Sequence, residues 1–137
     1  MADLVITPGN VQMGTGAKVK HGILGAAVTA GQGIVRDPAT QRYVLADSNH
    51  VTPALRRTEG VALNGGANGQ PVTLQEEGPI TIGAAVVAGT IYVQSDAPGG
   101  IAPAADLGAG EEVTVLGVAM SATQIALKIH KSQAVVA

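Results

Sequence analysis

The chain has 137 residues, with 8 Lys and Arg against 10 Asp and Glu for a net charge of −2, and no cysteine. This length suits one domain. The charge gives no basic field for nucleic acid, and the missing thiols exclude a disulfide frame and a thiolate metal site.

There is no Phe or Trp, and Tyr43 and Tyr92 are the only aromatic residues. The core must therefore be Val, Ile, Leu and Ala, which bury less area per side chain than aromatics do. Only 13% of residues are charged, so small apolar side chains must reach the surface, a composition that favours self-association. No run reaches the roughly 18 apolar residues of a membrane span. No secretory leader is expected, because Asp3 sits where a basic region would lie and "LVITPG" breaks early.

Residues 1–22, "MADLVITPGNVQMGTGAKVKHG", read as an extended arm with one short strand, outside the compact core. Residues 23–131 read as a single all-β domain, a small β-barrel or β-sandwich. Its expected strands are "GIVRD", "RYVLA", "EGVAL", "PVTLQ", "PITIG", "TIYVQ", "GIAPA", "EEVTVLGVAM" and "QIALKIH". "NHVTPALRRTEG", broken by Pro53, is a loop or one helical turn, and "LNGGANGQP" and "SDAPGG" are hairpin loops. Residues 132–137 trail as a tail.

The domain carries an internal repeat. "AAVTAGQGIVRDPATQRYVLAD" (26–47) aligns without gaps on "AAVVAGTIYVQSDAPGGIAPAA" (84–105) at a shift of 58, and "EGVALN" (59–64) meets "LGVAMS" (116–121) at a shift of 57. Two β-units of one plan follow, at about 26–75 and 84–130. The copies share small apolar bulk and a glycine suited to positive φ, but no reactive group: Thr29 meets Val87, and Arg36-Asp37 meets Gln94-Ser95.

No motif assembles a reaction centre. His21, His50 and His130 lie far apart, without partners at metal-ligand spacing, so no metal and no cofactor is expected. "DSNH" (47–50) lacks the strained elbow of a nucleophile, and Asp47 and Ser48 read as turn formers. In "QEEG" (75–78) and "GEEV" (110–113) adjacent carboxylates point to opposite strand faces and read as solvated edge charges. "GTGAKVKHG" and "GQGIVRD" lack the third glycine, the Gly-Lys-Ser/Thr and the helix of a phosphate loop. The chain is thus not expected to be an enzyme. The interface candidates are Leu4, Val5 and Ile6, the arm cations Lys18, Lys20 and His21, and the loop pair Arg56 and Arg57. The loops around 47–58 and 64–70 join them.

The run "VTAGQGIV…YVLAD…EGVALNGGANGQPVTLQEEGPITIGAAVVAGTIYVQS…GGIAPAADLGAGEEVTVLGVAMSATQIALKI" resembles small head decoration, or cement, proteins of tailed bacteriophages. The likeness covers roughly residues 23–130 and rests on the order and spacing of Gly, Ala and Val pieces. It implies an all-β virion component on the outer capsid surface, present in the host cytoplasm during assembly. Its implied partners are the major capsid protein and copies of itself, a trimer ahead of a dimer, with no nucleic acid and no membrane. The alternative is a host-recognition or carbohydrate-binding β-module on a tail or fibre, which would want exposed aromatics.

Overall fold

Antiparallel ladders dominate the computed structural model, which describes residues 3–137. The ten strands are β1 (Gln12–Met13), β2 (Lys18–Ile23), β3 (Gly33–Arg36), β4 (Tyr43–Leu45), β5 (Gly60–Ala62), β6 (Pro71–Thr81), β7 (Ile91–Gln94), β8 (Ile101–Pro103), β9 (Glu112–Ala119) and β10 (Gln124–Val135). The described residues contain no α-helix, only 3-10 turns at Pro8–Asn10, Pro53–Arg56 and Ala104–Asp106. The sheet curls into a half-barrel in the order β4-β3-β5-β6-β10-β9-β7-β8, open at β4 and β8.

The pairing repeats at the spacing of the sequence match. Ile34, Val35 and Arg36 face Leu45, Val44 and Tyr43, and 58 residues on Tyr92, Val93 and Gln94 face Pro103, Ala102 and Ile101. Gly31 and Gly89 have φ of 94° and 86°, and each donates its amide, at 2.8 Å, to Ala62 and Ala119 respectively. This backbone conformation, which a Cβ disfavours, is why both copies spell Ala-Gly there. The shared Gly-Val-Ala has its own cause: a Cβ on Gly60 would press on the Gln75 carbonyl, and one on Gly117 on the Ala126 carbonyl. The cores repeat too. Leu24, Val28, Ile34 and Tyr43 anchor one cluster, and their counterparts Ile82, Val86, Tyr92 and Ile101 belong to the larger one. Each fully buried aliphatic contributes about 1.5–3 kcal/mol.

β6 joins the halves. "PVTLQ" and "PITIG", expected as two strands, form one strand through Pro71–Thr81. β1 and β2 line one of its edges; β5 meets the other at Leu74 and Gln75, then β10 takes over from Glu77 to Thr81. The sheet therefore forks at Glu76. Gly78, at φ 99°, lets the backbone kink there. The Gln75 side-chain amide holds the kink by donating to the carbonyls of Glu77 (3.3 Å), Gly78 (3.0 Å) and Pro79 (2.9 Å). Such side-chain bonding to a kinked backbone is not written in strand propensity.

Two expectations about the ends are corrected. The extended arm does not stand away from the body: β2 pairs with β6 from Lys18 to Ile23, Val11 is in the core, and Leu4 and Ile6 pack on the larger cluster. The Leu4 amide bonds to the Ile101 carbonyl (2.8 Å) and that of Thr7 to Gly83 (2.9 Å). A β-rich segment with apolar residues lowers its free energy by covering its own core. Likewise, the expected tail at 132–137 is largely strand, with Val135 facing Glu112.

Candidate interaction surface

Paired residues in an antiparallel ladder share a face of the sheet. One such row runs across the C-terminal half: Pro79 faces Ala126, Ala126 faces Val118, and Val118 faces Ile91. Ile91 is 45% exposed, Val118 42% and Ala126 exposed as well. Met120 (54%) and Val87 (67%) lie on chain that adjoins these strands. Beside them Ala84, Ala85 and Ala122 line a shallow, mostly small-residue hollow with Thr81 and Gly83. The result is an exposed apolar face on the sheet. In the N-terminal half the matching row is Gly33, Val61 and Gln75, and all three are buried. Val61 sits in the larger cluster, and a Cβ on Gly33 would overlap Gln94 of β7. The first copy of this face is therefore covered by the second half, while the second copy faces outward.

A polar seam fixes the two halves to each other. Gln94, fully buried, donates to the carbonyls of Ala46 (2.9 Å), Ser95 (3.2 Å) and Gly100 (2.9 Å) and accepts from the Thr58 hydroxyl (2.8 Å). The Ser48 hydroxyl donates to Glu111 (2.7 Å), and Arg57 Nε donates to Glu112 (2.7 Å). Glu111 and Glu112 are 5% and 3% exposed, so the reading of "GEEV" as solvated edge charges is overturned. A buried carboxylate needs donors, and the 47–58 loop supplies them. The Glu112 carboxylate in turn holds the Arg57 guanidinium above its usual range, chiefly through that hydrogen bond.

The interface candidates scatter. Val5 is 89% exposed, whereas Leu4 and Ile6 are half-buried on the core. Lys18 is exposed, Lys20 pairs with Glu76 (3.0 Å), and His21 bonds through Nδ1 to the Thr73 hydroxyl (3.0 Å). The Glu76 bond raises the Lys20 pKa above its usual range. Arg56 Nε donates to the His50 carbonyl (2.6 Å), so both loop arginines serve the chain's own packing. Sequence reading did not find the apolar row, because its members are spread over β6, β7, β9 and β10 and only pairing register aligns them. The one available signal was the abundance of small apolar residues.

Asp47 closes its turn by accepting from the Asn49 amide (3.1 Å), and His50 Nδ1 accepts from the Thr52 amide (2.9 Å) rather than meeting Ser48. No group of three or more His, Asp or Glu is placed to hold a metal ion among the described residues, and no helix is long and apolar enough to cross a membrane. Both tyrosines are buried, and the Tyr92 hydroxyl accepts from the Val87 amide (3.1 Å), pinning the loop beneath the apolar face. No protein-family model matches the chain, and no curated protein does.

Proposed function

We propose that this chain is a non-enzymatic structural protein of a phage particle, binding the outer surface of the capsid as a small oligomer and stabilising the mature head. The observation that carries the proposal is the outward apolar row Pro79–Ala126–Val118–Ile91 across four paired strands. The resemblance to decoration proteins points the same way. The partners are the major capsid protein and further copies of this chain, with a trimer as the favoured assembly. A protein that binds the assembled lattice and not free subunits stabilises the lattice by mass action, and several attachment points per oligomer multiply a weak single contact. The sugar-binding alternative draws no support, since neither tyrosine presents a ring for stacking on a sugar.

The test is incubation of the purified protein with mature capsids that lack it. Saturable binding and a raised capsid disruption temperature are expected; their absence would overturn the proposal. Ile91→Lys with Val118→Glu places opposite charges on two exposed, directly paired positions, so the isolated fold stays within about 1 kcal/mol of the parent. Oligomer mass by light scattering and capsid binding should both fall. Unchanged values would move the interface off this face.

A further inference from the structure

β10 pairs with β9 from Ile125 to Val135, with register shifts between Leu127 and His130 and between Lys131 and Val135, but with β6 only from Gln124 to Lys128. Beyond the fork, residues 129–135 are paired on one side alone. This open edge borders a groove of about 400 Å³ between β10 and the β5–β6 side of the fork. A second groove of about 370 Å³ continues it toward β3 and the Pro53–Arg56 turn, with Glu59 and Lys131 lining both. Lys18, Lys128, Lys131, Arg36 and Arg57 line the combined channel, five of the eight basic residues of a chain whose net charge is −2. His130 adds to them. Arg57 is held by Glu112, but Lys18, Lys128, Lys131 and Arg36 are exposed and form no salt bridge among the described residues. Of the three lining carboxylates, Glu76 is taken by Lys20.

We infer that this channel is a docking site for an extended acidic segment of a partner protein, which adds to the free edge of β10 as a further strand. The edge supplies main-chain hydrogen bonds, and the cations select the sign of the side chains that follow alternately along the incoming strand. A second copy of this chain is not the occupant by this edge. Lysines on an edge strand repel an identical edge, which is how such edges avoid self-pairing. The register shift between Leu127 and His130 opens this stretch, and the bulge at Gln133, φ 57°, with Ser132 Oγ donating to the Val113 carbonyl (2.6 Å), closes it, so the added strand is short and centred on His130 and Lys131 within 129–132. The inference goes beyond the capsid reading and is tested without any capsid.

The probe is a short capped peptide alternating Asp and Val, titrated into the intact protein and followed by amide NMR shifts and hydrogen exchange. A control peptide carries the same charges with alternate backbone nitrogens methylated, which removes the strand donors. Expected are dissociation constants below about 1 mM, new amide protection at 129–132, and a loss of about tenfold or more for the methylated peptide. Lys128→Gln with Lys131→Gln, both exposed, should weaken the acidic peptide by a similar factor and leave the circular dichroism of the fold unchanged. Absence of binding, equal binding of the methylated peptide, tighter binding of an oligothymidylate, or shifts confined to another face would each overturn the inference.

Discussion

Replacing Gln94 tests whether the polar seam, rather than the apolar clusters alone, holds the two halves together. Gln94→Leu removes the contacts of Nε2 with three carbonyls, which its two hydrogens share, and the bond accepted from the Thr58 hydroxyl. The carbonyls do not become orphans. That of Ala46 also accepts from Gly99, that of Ser95 from Ser48, and that of Gly100 from Ser95. The loss is then about 1 kcal/mol for each Nε2 hydrogen, plus about 1–3 kcal/mol for the buried Thr58 hydroxyl, which is left without its acceptor. Burying leucine in place of the amide returns about 1–1.5 kcal/mol. The expected destabilisation is about 2–3 kcal/mol, or roughly 6–10 °C in Tm for a chain of this length. Gln94→Glu cannot donate when ionised and sets a carboxylate among three carbonyl oxygens. Its folded pKa would lie above the unfolded value of about 4.3, so this variant is most stable below that pH and loses stability as pH rises through the folded pKa. Urea unfolding at about pH 4 and pH 8 reads the difference, which wild type should not show at this site. A Leu variant as stable as the parent, or a Glu variant with a flat pH response relative to it, would refute the argument.

The two turn glycines should respond unequally. Gly31→Ala and Gly89→Ala both place a Cβ at positive φ, at about 1–2 kcal/mol, but only at Gly31 would the new methyl strike Ile6 and Val11. Gly31→Ala should therefore be the more destabilising in urea unfolding, and equal losses would mean that the N-terminal segment does not pack there. Alkaline pH should weaken the N-terminal half. Burial raises the Tyr43 pKa, and the Glu76 bond raises that of Lys20. Both contributions are whole below about pH 10 and fade as pH rises through the folded values. Lys20 is half exposed, so its share is small. Tyr43→Phe should thus flatten most of the alkaline fall in urea midpoint, and an unchanged slope would show that another group governs it.

Much of this molecule was legible in one dimension. Short β-branched runs separated by Gly, Asn and Pro predicted an all-β chain, because strand propensity and turn chemistry are local. The match of 26–47 with 84–105 anticipated ladders of equal register, because repeated small residues answer repeated backbone demands: Gly31 and Gly89 at their turns, Gly60 and Gly117 against a neighbouring carbonyl. The lack of a recurring reactive group was equally plain from the sequence. What the tertiary structure decided is how the copies came to differ. Burial of Gly33, Val61 and Gln75 and exposure of Ile91, Val118 and Ala126 depend on which half lies over which. Residue spacing carries no such information. The same holds for Glu111 and Glu112, drawn inside by a loop more than 50 residues earlier, and for the arm, which found its lowest free energy on the core beside it. Local chemistry chose the strands; long-range burial chose which face stayed open to solvent.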